Sequence, residues 1–161
     1  MIKEGFAKSA ALSSSVVLII LLLGFRRLYD ALLAMLPVAL AIAWVLGIMG
    51  MAGMPFDVAN IVALPLLTGV GVDAGAHMMH RWRQSADANG GMADLDEVMR
   101  GTGSAVLMAS VTTALGFAAL MLADYGGMKS LGATMTIGII GCMIASLLVL
   151  PAVLVLLRRA R

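Results

Sequence analysis

Charge is scarce in this chain of 161 residues: 12% are Asp, Glu, Lys or Arg, about half the share in an ordinary soluble domain. Aromatics make up only 5%. The single cysteine, Cys142, excludes an intrachain disulfide and any cysteine metal cluster. The apolar residues follow neither a strand alternation nor a heptad repeat, which excludes a β-sandwich and a coiled coil. They stand instead in long blocks, 61% of the whole, with a mean hydropathy of +1.02. Lipid is the solvent that suits such blocks, and an open chain in lipid satisfies its backbone as helices. The expected fold class is all-α, a polytopic membrane helical bundle with five transmembrane helices. The net charge of +2 and the pI near 9.0 come mostly from arginines at segment ends. They report orientation and give no support to a nucleic-acid partner.

About 20 apolar residues cross a bilayer. On that measure the spans are about 10–25, 28–51, 57–80, 104–123 and 131–157, in one transmembrane domain over 1–161. The first span follows basic residues, as a signal peptide does. Its apolar core ends in "FRRLYD" rather than a small-residue cleavage site, so a retained span is expected. Arg26, Arg27, Arg81, Arg83, Arg100, Arg158, Arg159 and Arg161 fall on one side, against Lys3, Lys8 and Lys129 on the other. Eight against three puts the arginine side and the C-terminus in the cytoplasm. An outward-facing, uncleaved start points to the C-terminal portion of a longer transporter. The loop 81–103 holds a short surface helix at about 94–100. Asp94 stands three before Glu97 in a capping-box arrangement, with Leu95, Val98 and Met99 turned to the membrane surface.

Three of the spans carry stripes of small residues, as contacting membrane helices do. On the third, Gly69, Asp73, Ala76, His77 and His80 recur at helical spacing, with Gly71 and Gly75 between them. On the fourth, the stripe is Ala105, Ala109, Thr112 and Gly116. On the fifth it is Thr134, Gly138, Gly141 and Ala145. Gly69, Gly71, Gly75, Gly116, Gly138 and Gly141 are therefore the expected packing glycines of a tight bundle around the third span. Asn60 and Pro65 loosen the outer half of that span: Pro65 removes a backbone hydrogen bond, and Asn60 supplies a polar group to answer it.

Within the stretch "TGVGVDAGAHMMHRWRQ", Asp73 is the residue that demands a reason. A charged Asp near a helix centre costs about 2.5–3.5 kcal/mol on insertion scales, so such a group usually faces a bundle interior or a water path. His77 lies one turn on, on the same face, and His80 lies at the arginine boundary. The spacing gives a proton relay from Asp73 through His77 towards His80. Thr112 and Thr113 stand on the next span, either as hydrogen-bond partners of the acid or bonded to their own helix. Fourteen methionines with no M-x-x-M clustering on one face read as packing residues. "GVGVDAG" follows no strand, which excludes a phosphate loop. No nucleophile triad and no paired carboxylates are readable, so neither an enzyme, a metal site nor a cofactor is expected.

The stretch "LPLLTGVGVDAGAH", followed by "TTALGF" and "GGMKSLG", resembles the RND superfamily of exporters. The likeness is greatest to the MMPL-type branch that includes hopanoid-associated lipid transporters. It runs along essentially the whole chain, as the eighth to twelfth spans of a twelve-span protein. The resemblance implies a proton-driven pump of the bacterial inner membrane, with Asp73 in proton coupling. Its cargo would be lipids or other hydrophobic molecules, carried towards the outer envelope. Its partners would be membrane lipids, that substrate, protons, and either the N-terminal half or a second copy of the chain. Many such relatives carry Tyr after the acid, where this chain has Ala74. The same five-span unit is similar to the sterol-sensing domain, which leaves two other readings: a lipid-sensing bundle that transports nothing, and an inactive truncated fragment.

Overall fold

The computed structural model describes the backbone of residues 2–25, 27–53, 58–90 and 92–159, and the side chains of 12, 15–25, 27–53, 59–60, 62–90 and 92–157. Asp57, the expected start of the third span, lies outside the described residues. So do the side chains of Lys3, Lys8, Arg26, Arg158, Arg159 and Arg161, which carry much of the charge asymmetry.

Every regular element among the described residues is a helix: α1 (Ile2–Phe25), α2 (Leu28–Met51), α3 (Val58–Ala88), α4 (Leu95–Val98), α5 (Ser104–Ala119), α6 (Gly126–Ile144) and α7 (Leu150–Arg159). π-helical turns at Met99–Gly103 and Ala145–Val149 join α4 to α5 and α6 to α7 without a break. A 3₁₀ turn, Leu120–Leu122, finishes α5. Among the described residues, four helical stretches are long and apolar enough to cross a membrane, and Ser15–Phe25 of α1 adds a shorter apolar helix.

α3 runs further than its apolar part. Hydropathy falls at His80, yet the helix continues through "RWRQSADA". The fall in hydropathy marks where water begins, while a helix ends only where a residue stops it. That stop is Gly90, at φ +64, beyond Asn89. Residues 81–88 are therefore helix rather than loop.

Centrally, α2, α3 and α6 pack against one another, with α1 on the α2–α3 side and α5 laid along α6. α3 turns Ala63, Leu64, Leu67, Gly71, Val72, Gly75, Met78, Met79, Trp82 and Ser85 inwards, a helical stripe of spacing three and four. Glycine makes the approach possible. A methyl on Gly75 would overlap the Ala34 carbonyl oxygen of α2, and one on Gly71 would lie 2.6 Å from Cys142 Sγ of α6. A methyl on Gly138 would press on the Leu67 side chain, and one on Gly141 would make a tight contact with Ala41 and Trp44.

The inward stripe differs from the expected one by about half a turn. Gly69, Asp73 and His77 face away from the packed centre, and a methyl on Gly69 or Gly116 would meet nothing within 4 Å. Lipid and protein interior are equally apolar, so a run of small residues does not reveal by itself which side meets protein.

Three polar ties hold the helix ends. At one end Asn60 Oδ1 accepts from Ser130 Oγ at 2.9 Å and from Thr134 Oγ1 at 2.7 Å, joining α3 to α6. At the other, Arg83 Nη2 stands 2.6 Å from Asp30 Oδ2, and the carboxylate is only 3% exposed. Further along α3, buried Ser85 donates to Glu97 Oε2 at 3.0 Å and accepts from the Asp94 N–H at 2.9 Å. Asp94 caps α4 by accepting from the N–H groups of Asp96 and Glu97. Glu97 does not return the bond; its carboxylate takes Ser85 and Arg81 instead, Arg81 at 2.7 Å. Val98 is fully buried under α4, while Leu95 is exposed.

Candidate functional site

Because α5 leans on α6 and scarcely meets α3, a cavity of about 680 Å³ opens between these helices. Its α3 wall runs from Val70 to Gln84, about 21 Å of helix. It therefore reaches from mid-span to the arginine-bearing end. Asp73 and His77 line it one turn apart, followed by Arg81 and Gln84. α5 supplies Ala105, Ala109, Ser110 and Thr113, and α6 supplies Ile139 and Cys142. Apart from this track and the hydroxyl groups of Thr102, Ser110 and Thr113, the lining is mostly apolar.

Asp73 is exposed to the cavity, and among the described residues it makes no hydrogen bond or ion pair. The two threonines give their hydroxyl protons to their own helix: Thr113 to the Ala109 carbonyl at 2.7 Å, and Thr112 to that of Met108 at 2.9 Å. Thr113 lines the cavity and keeps its oxygen free to accept. Thr112, one residue or about 100° round the helix, is exposed and not part of the lining.

His80 is also outside the lining. Its ring stands tilted against Phe25 of α1, with centroids 6.4 Å apart, and its Nε2 is 3.0 Å from Gln84 Nε2. The cavity thus brings Asp73, His77 and Thr113 together and leaves Thr112 and His80 out. Its end is marked by Arg81 and Gln84. Asn60 belongs to the α3–α6 tie at the far end, and Pro65, half-buried inside α3, lies between that tie and the acid.

Sequence reasoning passed over three contributors. Arg81 and Gln84 continue the face of Asp73 and His77 at spacings of four and three; extending the periodicity past His80 finds them. Ser110 follows from the spacing to Thr113. The Asp30–Arg83 pair left a fainter signal: an acid in the first turn of an apolar helix, close to arginines.

What can this arrangement do? A carboxylate without a partner, an imidazole one turn away and a polar track to one end can hold and pass a proton. The apolar remainder of a cavity this size suits part of a hydrophobic molecule. Among the described residues, no group of three or more His, Cys, Asp or Glu is placed to hold a metal ion.

Comparison with known proteins adds the family context. The family model described as Patched SSD matches residues 7–156. A membrane protein of Methanocaldococcus jannaschii is 34% identical over 99% of the chain, which covers 41% of that protein. The hopanoid transporter HpnN of Rhodopseudomonas palustris is 34% identical over 90% of the chain, here 15% of the relative. Human protein patched homolog 2 is 30% identical over 81%, or 11% of its own length. The chain therefore spans about two fifths of the first relative and a smaller part of the others.

Proposed function

The chain belongs to the Patched SSD family, and from that premise we propose that it is the C-terminal transmembrane portion of a proton-driven RND-type exporter of lipids or other hydrophobic molecules. Its cargo is hydrophobic and hopanoid-like, its place the bacterial inner membrane, and its C-terminus cytoplasmic. The observation that carries this reading is the unpaired carboxylate of Asp73 on the wall of a cavity, with His77 one turn along. An ionised Asp on that wall is costly where water is scarce. Taking up a proton removes the cost; losing it to the His77–Gln84 track restores the charge. A second helical bundle closing the open α3–α5 face would convert that cycle into alternating exposure of the lipid site. The N-terminal half of a longer transporter or a second copy fills this role.

The name of the Rhodopseudomonas relative, a hopanoid transporter, supports the cargo class. A proton-independent lipid sensor of the sterol-sensing type is the second reading, favoured by the apolar cavity itself. The test is export of a fluorescent hopanoid-like lipid from cells carrying the complete transporter that contains this chain. With Asp73→Asn inserted at normal levels, export falls by two orders of magnitude or more and no longer follows the imposed proton gradient. Export that survives the substitution at every pH contradicts the proposal. Cross-linking of the lipid probe in the cavity with no export and no pH dependence favours the sensor.

A further inference from the structure

The arginine-bearing end holds a second cavity, about 530 Å³, on the far side of α3 from Asp73. It lies where α1 gives way to α2 and where the end of α3 meets α7. Leu154 and Leu157 give it an apolar side, and Trp82, 9% exposed, gives it an aromatic one. Indole and phenol rings gather at headgroup depth in membrane proteins, and Tyr29 stands here with Trp82.

Among the described residues the charges lining the cavity are balanced, Arg27 and Arg83 against Asp30 and Asp87. Arg83 is already engaged with Asp30. Arg27 and Asp87 line the same cavity, exposed, and among the described residues neither is in an ion pair. Asp30 Oδ2 is buried and stands 2.6 Å from Arg83 Nη2, so that pair is closed to a ligand.

An anionic headgroup would meet the Asp87 carboxylate here, and a purely cationic one the Arg27 guanidinium. A zwitterion with an anionic phosphate and a primary ammonium answers both. We propose that this cavity binds the headgroup of an aminophospholipid, phosphatidylethanolamine. The phosphate lies on Arg27, the ammonium lies on Asp87, and an acyl chain runs along Leu154 and Leu157. Basic pockets between membrane helices are established headgroup sites in general; Asp87 narrows this one to a zwitterion carrying N–H donors. Phosphatidylcholine has the same charges but no N–H.

The test is native mass spectrometry of the intact chain offered equal amounts of phosphatidylethanolamine, phosphatidylcholine and phosphatidylglycerol. Phosphatidylethanolamine is retained about tenfold over the others, as a charge-assisted hydrogen bond allows. Arg27→Gln and Asp87→Asn, both at exposed positions, each remove most of that preference without changing the melting temperature. Equal retention of the three lipids overturns the proposal, as does preference for phosphatidylglycerol or a phosphatidylethanolamine preference untouched by Asp87→Asn. Displacement by soluble glycerophosphoethanolamine at equal concentration overturns the assignment to a lipid.

Discussion

The two faces of α3 are built from similar residues and do opposite things. One presents Leu67, Gly71, Gly75 and Met78 to α2 and α6 and is closed to the point that no methyl fits at Gly75. The other presents Gly69, Asp73 and His77 to a cavity that α5 borders without filling. The neighbouring helices repeat the contrast: in the most apolar stretch of α3 50% of residues are buried, against 11% in the stretch that includes α5. Glycine on the closed face removes bulk so that backbones can touch. On the open face it leaves room beside an acid. A small residue in a membrane helix therefore has no fixed meaning until its neighbour is known, whereas a carboxylate at this depth carries a cost wherever it points.

The comparison breaks first at Gly75. Gly75→Val drives a branched side chain into the Ala34 carbonyl and lowers stability by more than about 3 kcal/mol, seen as loss of folded protein in detergent melts. Arg83→Met strikes the same face electrically. It strands the Asp30 carboxylate, 3% exposed, at a cost of about 3 kcal/mol, read as a lower melting temperature that Asp30→Asn in the same chain partly restores. Asn60→Ala takes the shared acceptor from Ser130 and Thr134 and costs about 1–2 kcal/mol by the same melts. On the open face Gly69→Ala and Gly116→Ala each change stability by less than about 0.5 kcal/mol, since a methyl there meets nothing within 4 Å. Equal losses at Gly69 and Gly75 erase the distinction between the faces.

The sequence announced the helices because hydropathy blocks leave few alternatives in lipid. α2 begins and ends as expected at Leu28 and Met51. Where hydropathy and helix part company, at residues 81–88, the block pattern stops too early. Which face of α3 is buried was not legible, since a leucine against lipid and a leucine against protein obey the same preference. Asp73 and His77 on one wall follow from their spacing, as does the exclusion of one of the two adjacent threonines. Which of those threonines lines the cavity depends on the lean of α5, and that is fixed by tertiary contact with α6. The Asp30–Arg83 pair joins positions 53 apart, beyond any local pattern.

Whether Asp73 exchanges a proton is best decided by difference infrared spectroscopy of the chain in lipid, stepped in pH, with Asp73→Asn as the reference. The carbonyl band of a protonated carboxyl should rise as pH falls, reverse on return, and be missing in the variant. If no such band belongs to Asp73 at any pH at which the bundle stays folded, the carboxylate does not exchange protons and the account built on it is contradicted.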